Sequence, residues 1–144
     1  IATFFDVFPN GTIWANNNNG SGYDVVLLGQ VEPTKIDIDA MQKRLDRPDY
    51  AKVLASLGMV GFPRAVDLMG TYLGRAADLR SWLAGAQINE DVNLRLQYLA
   101  GLGVNSYSAD YIEQEIGKHR EFPQDIFTGS EQSLDELRSS LLRF

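Results

Sequence analysis

The sequence predicts an α+β fold, in which a short N-terminal β-hairpin precedes about seven short helices. Two strand-like segments, 11–15 and 23–29, lie near the start of the chain on either side of a stretch rich in asparagine and glycine. The composition changes at Glu32-Pro33, after which apolar residues recur at helical spacing between capping residues. No period of about 20–50 residues repeats, so a solenoid is not predicted.

Length and composition are those of one folded domain. The chain has 144 residues, 44% hydrophobic and 22% charged, which is enough to bury a core without cross-links. The net charge of -6 argues against nonspecific binding to nucleic acid or to an anionic membrane surface. The absence of cysteine and the presence of a single histidine exclude disulfides, thiolate catalysis and multi-histidine metal sites. We expect no metal-binding residue in this chain, and we also predict no cofactor-binding residue.

No apolar run approaches the roughly 18 residues of a membrane span. The chain begins at Ile1, with neither a methionine nor a signal-peptide pattern. We expect it to be a piece of a longer protein.

The hairpin is predicted from its strand and turn residues. Thr12, Ile13 and Trp14 favour a pleated surface. The run Val25–Leu28 is apolar on both faces, as in a strand that is covered on both sides. Asn19-Gly20 is typical of a tight turn because both residues tolerate positive φ. The loop predicted around it, 16–22, is longer than a minimal hairpin needs.

The helices are predicted from capping residues and apolar periodicity. Asp37 or Asp39 begins a helix that ends near Leu45, and Asp39 with Gln42 fits a capping box. The other predicted helices lie at 48–57, 63–73, 76–84, 89–101, 108–119 and, after a capping box at 133–136, at the end of the chain. We expect one core between the second and third helices, formed by Tyr50, Val53, Leu54, Leu57, Val66, Met69 and Leu73.

Neither glycine-rich segment has the strand–glycine–helix order of a nucleotide-binding loop. Gly20-Ser-Gly22 joins two strands, and Gly101-Leu-Gly103 follows a helix like a C-cap. Neither is predicted to bind a nucleotide alone.

Paired carboxylates and the histidine have structural interpretations. Asp37 and Asp39 lie at a predicted helix start, where the helix dipole favours anions and capping is the simpler role. Glu113 and Glu115 lie on different faces of their helix and are predicted to be solvated. His119 lies near a helix end, where positive charge is favoured, so a catalytic role is not predicted.

Residues at both ends of the hairpin resemble the end of a polyamine synthase domain. In that family a helix ends in a Val-Phe-Pro element, here Val7-Phe8-Pro9. A strand with tryptophan follows, here Thr12-Ile-Trp14, and then the last antiparallel strand of a Rossmann-like sheet, here 23–29. The rest of the chain is similar to the long C-terminal extension of bacterial spermidine-synthase-like proteins, in which Asn89-x-Asp91 followed by Leu96-Gln-Tyr98 resembles an element near the C-terminus.

The resemblance implies two parts and one reaction. Residues 1–31 are the terminal hairpin of a Rossmann-like aminopropyltransferase domain, and 32–144 are a helical extension. The implied parent transfers an aminopropyl group from decarboxylated S-adenosylmethionine to a polyamine such as putrescine. It is cytoplasmic, or attached to a membrane by N-terminal helices with this part on the cytoplasmic side.

The asparagine stretch supplies the candidate substrate-binding residues. By the resemblance it lies at the rim of the parent's pocket, where side-chain amides accept hydrogen bonds from amines. Asn17, Asn18 and Asn19 are the candidates, in place of the family's usual proline-threonine-tyrosine loop. Tyr23 follows this polar stretch, and its ring either packs in the core or lines the pocket.

The family's donor-binding glycine-rich loop and its catalytic aspartate are not in this chain, so it has no catalytic residue and is expected to be inactive alone. An interpretation from another class is a non-catalytic helical interaction module, whose hairpin edge pairs with another chain. We also expect that two copies can pair through this hairpin.

Overall fold

The computed structural model describes residues 1–18, 21–93, 97–99 and 109–142, and it confirms the α+β fold class. The helices with described bounds are short: α1 (Ala2–Val7), α2 (Ile38–Leu45), a 3₁₀ helix (Pro48–Tyr50), α3 (Ala51–Met59), α4 (Ala65–Met69), α5 (Ala109–Gly117) and α6 (Glu131–Leu141). The strands are β1 (Thr12–Asn18), β2 (Ser21–Leu28), β3 (Ile36–Asp37), β4 (Tyr72–Arg75) and β5 (Phe127–Thr128).

A three-stranded antiparallel sheet has the order β2–β1–β4. The central position of Trp14 shows the register, since its Cα is opposite Val26 on one side and Tyr72 on the other. A separate pair of strands, β3 and β5, is parallel, with Ile36 opposite Phe127. Strand β4 lies in the mostly helical part of the chain, so that part and the hairpin share one sheet.

The predicted strands are confirmed, but they are longer than expected. The polar residues that were predicted to form a loop at 16–22 mostly continue the two strands, because β1 extends to Asn18 and β2 begins at Ser21. A β-bulge between Ala15 and Asn17 shifts the register within this polar part. The predicted Asn19-Gly20 turn lies outside the described residues.

The sheet is covered on both faces around β1 and β4. On one face, Ile13 and Leu73 are fully buried in a cluster that Phe5 of α1 and Ile116 of α5 complete. On the other face, Tyr72 belongs to a larger cluster, and Trp14 packs against it. The buried members that helices α2, α4 and α6 contribute to this larger cluster are Ile38, Leu45, Ala65, Val66, Met69, Leu137 and Leu141.

The predicted core between the second and third helices is only partly right. Val66 and Met69 are buried, and Tyr50, Leu54 and Leu57 are half-buried against the same cluster. Val53 was wrongly included, since it is 46% exposed. Leu73 belongs to the opposite face of the sheet.

The helix predicted at 63–73 was wrong in its second half. Helix α4 ends at Met69, and Tyr72 and Leu73 lie in β4, where they pair with β1. Their spacing from Val66 is helical, but pairing with an existing strand outweighs a local pattern. Residues 76–84 form hydrogen-bonded turns rather than the predicted helix.

Capping follows the prediction at one helix and departs from it at two places. Asp37 caps α2, because its side chain accepts a hydrogen bond from the backbone N–H of Ala40 at 2.9 Å. Asp39 and Gln42 form no capping box, since Gln42 accepts from the Ala65 N–H instead. The last helix begins at the cap Ser130, three residues before the predicted box.

The helices predicted at 48–57 and 108–119 are confirmed in substance. The first consists of the 3₁₀ helix, which starts at Pro48, and of α3. The second is α5, whose first described residue is Ala109. The helix predicted at 89–101 is described only in part. Residues 91–93 form a turn, and residues 97–99 are helical. Residues 94–96 and 100–101 lie outside the described residues.

Candidate functional site

Asn16 and Asp24 contact each other across the two strands of the hairpin, near its polar end. The Asn16 side chain donates a hydrogen bond to the Asp24 carboxylate at 2.5 Å, and both side chains are exposed. Asn16 is the residue at which the β-bulge shifts the register. Bulges commonly re-aim a side chain near a functional site. An amide and a carboxylate therefore lie together near the polar end of the two described strands.

The predicted site residues are placed along this end of the hairpin. Asn17 and Asn18 lie in β1, with their Cα atoms opposite Gly22 and Ser21 of β2. Tyr23 lies in β2. The side chains of Asn17, Asn18 and Tyr23 are not described, and Asn19 lies outside the described residues.

Close packing against α1 positions the other end of the hairpin. The ring of Phe8 lies so close to Gly29 that a Cβ there would approach it to 2.9 Å. A Cβ on Gly11 would meet the Phe4 ring at 2.6 Å and the Phe8 carbonyl oxygen at 2.9 Å. Asn10 adds a hydrogen bond to the Val31 carbonyl oxygen at 2.7 Å. These glycines permit the helix end and both strand ends to meet.

A polar network that is partly buried surrounds the end of β4. Arg75 contacts the Asp78 carboxylate at 3.3 Å and both carboxylate oxygens of Asp125 at 2.7 Å. The hydroxyl of Tyr72 donates to Asp78 at 3.0 Å. Burial, with the negative charge of Asp78, raises the pKa of Tyr72 above its ordinary value, so the phenol keeps its proton as a donor.

Arg120 ties the same region to the end of the chain. Its guanidinium donates to the backbone carbonyl oxygens of Tyr72 and Leu141. Burial lowers the pKa of Arg120 below the ordinary value of an arginine. Carbonyl acceptors and opposite charges satisfy this network internally, which identifies it as a structural element of the sheet.

Two surface depressions lie away from the hairpin. A cleft of about 600 Å³ between α4 and α6 contains three carboxylates, but Arg64 pairs with Asp67 at 2.7 Å and with Glu136 at 2.9 Å. Asp135 pairs with Arg138 at 2.6 Å. A groove of about 530 Å³ along α3 is mostly apolar, and its lining residues are Lys52, Val53, Ser56, Leu57 and Val60. The first is polar and internally paired, whereas the second is an exposed apolar surface.

The other carboxylates and the histidine that the sequence analysis considered lie in the helical part of the chain. Glu113 is buried with 9% exposure, so its predicted solvation was wrong, whereas Glu115 pairs with Lys118. His119 is half-buried near the end of α5. Asp39 accepts hydrogen bonds from Ser130 and Ser133 at the start of α6, and these bonds lower its pKa.

Sequence reasoning did not single out Asp78 or Asp125, which carry the negative charges that face Arg75. The spacing of Arg75 and Asp78, three residues apart, was the available signal for the first pair. No local signal indicates Asp125, because it lies 50 residues from its partner.

In the described part of the chain, no group of three histidine, aspartate or glutamate residues could hold a metal ion. None of the described helices is long and apolar enough to cross a membrane.

Comparison of the chain with protein-family models, with curated proteins and with solved structures found no match.

Proposed function

We propose that this chain is the C-terminal part of a spermidine-synthase-like aminopropyltransferase. The hairpin is the end of its Rossmann-like sheet, and the residues from 32 onward are its helical extension. The parent enzyme works in the cytoplasm, with this part on the cytoplasmic side if its N-terminal region is anchored in a membrane. The chain alone is inactive, because the donor-binding loop and the catalytic aspartate lie in the rest of the enzyme.

One observation carries the proposal: helix α1, β1 and β2 form a compact helix–strand–strand unit with an antiparallel hairpin. The Val7-Phe8-Pro9 element ends α1, and Phe8 packs against Gly29 at the far end of β2. Trp14 lies in the first strand and is paired in register with Val26 of the second. This is the order of elements, with the same marker residues, that the family resemblance implies.

The proposed reaction joins the amine nitrogen of a polyamine to the aminopropyl carbon of the donor. The carbon–sulfur bond of the sulfonium breaks as the carbon–nitrogen bond forms, and the amine proton passes to the parent's aspartate. Orientation and deprotonation of the amine are then the main tasks of the protein. Asn17, Asn18, Asn19 and Tyr23 are proposed to line the rim of the amine pocket.

Two features support a substrate that is a cationic amine. The chain carries a net charge of -6. At the base of the proposed rim, Asp24 presents an exposed carboxylate that Asn16 orients. Carboxylates attract ammonium groups, and amide oxygens accept their hydrogen bonds.

A non-catalytic interaction module is the second candidate function. The apolar groove along α3 favours it, because Val53 and Val60 are 46% and 56% exposed there. In this alternative the groove is part of a larger partner-binding surface, since such surfaces are extended exposed apolar patches. In this alternative the chain binds another protein and takes no part in group transfer.

The two functions are separated by an assay of the full-length gene product that contains this chain. We expect it to form an aminopropylated product from decarboxylated S-adenosylmethionine and putrescine, and we expect the 144-residue chain to form none. Replacing Asp24 by Asn in the full-length protein should raise KM for the amine, whereas Glu32→Gln, also an exposed carboxylate, should not. If the full-length product has no glycine-rich donor loop and transfers no aminopropyl group, the aminopropyltransferase proposal is refuted. The interaction module is then the favoured function.

A further inference from the structure

We draw no further inference here: the strongest candidate, the exposed apolar groove along α3 between Lys52 and Val60, carries nothing beyond the second candidate function because nothing in the described part of the structure shows what covers it.

Discussion

The hydroxyl of Tyr72 donates a hydrogen bond to the carboxylate of Asp78 at 3.0 Å inside the fold. Tyr72 is fully buried, and the Asp78 side chain is only 4% exposed. The charge of Asp78 is balanced by Arg75, which also binds Asp125. Tyr72 and Arg75 are the first and last residues of β4, and both pair with β1. These bonds therefore stabilise the strand through which the helical part of the chain joins the hairpin.

Tyr72→Phe is expected to destabilise the chain by about 1.5–3 kcal/mol, the range for hydrogen bonds to charged groups. The ring remains, so its edge-to-face contacts with Trp14 and Phe127 are kept and the loss reports the hydroxyl. Urea unfolding measures the change. Tyr111→Phe, at a tyrosine that is 63% exposed, is the control and should cost less than about 0.5 kcal/mol. Equal effects of the two variants would contradict a buried bond.

Asp39 should make the stability of the chain dependent on pH. Its carboxylate accepts hydrogen bonds from the Ser133 hydroxyl and the Ser130 N–H, both at 2.6 Å, which hold its pKa below the ordinary value of 3.8. A depressed pKa contributes stability that is present above the unfolded value and is lost as the pH falls through the folded one.

Urea midpoints of the wild type and of Asp39→Asn should therefore differ most at pH values well above 3.8 and converge as the pH falls below the lowered pKa of Asp39. Glu32→Gln, which removes another exposed carboxylate, should follow the wild type over the whole range. A difference between wild type and Asp39→Asn that stays constant with pH would indicate that the carboxylate's charge plays no part.

The hairpin was predictable because its signals are local. Thr12, Ile13 and Trp14 favour strands wherever they lie, and the apolar run Val25–Leu28 was correctly predicted as a strand. Its predicted burial on both faces was wrong, since Val26, Leu27 and Leu28 are 52%, 40% and 43% exposed. The extent of the strands was not predictable. Asparagine favours turns in isolation, but pairing across the hairpin draws Asn16 to Asn18 into β1. The candidate site is consequently part of two strands and not a long loop.

The remaining errors come from interactions that are distant in sequence. Tyr72 and Leu73 have helical spacing from Val66, yet pairing with β1 places them in a strand. Asp39 was interpreted as a helix cap, but its partner Ser130 lies 91 residues away. Neither the strand partner nor the distant serine leaves a local pattern, so only the fold reveals them.

Leu137→Ala tests the larger hydrophobic cluster. Leu137 of α6 is fully buried there, so its truncation should cost about 2–5 kcal/mol. Leu142, which is 84% exposed, provides the matched control, and Leu142→Ala should be nearly neutral. Leu54, half-buried against the same cluster, should give an intermediate loss. Denaturant melts measure the loss of stability in all three variants. If Leu137→Ala loses as little stability as Leu142→Ala, Leu137 of α6 does not contribute to the core.

Gly11→Ala tests the contact between α1 and the hairpin. An added Cβ would lie 2.6 Å from the Phe4 ring and 2.9 Å from the Phe8 carbonyl oxygen. The ring can turn aside, but the backbone oxygen cannot move without shifting the Val7-Phe8-Pro9 element. Overpacking of this kind typically costs about 1–3 kcal/mol, and the loss should appear in thermal or urea unfolding.

Gly58→Ala is the matched control for this substitution. Gly58 lies in α3, and a Cβ there would meet nothing within 4 Å. Alanine favours the helical backbone over glycine, so this variant should be stabilised by up to about 0.5–1 kcal/mol. Opposite signs for the two variants are expected, because one methyl group enters a closed junction and the other enters open space. A neutral Gly11→Ala variant would show that α1 does not pack closely on the hairpin, and would remove the observation that supports the proposed enzyme.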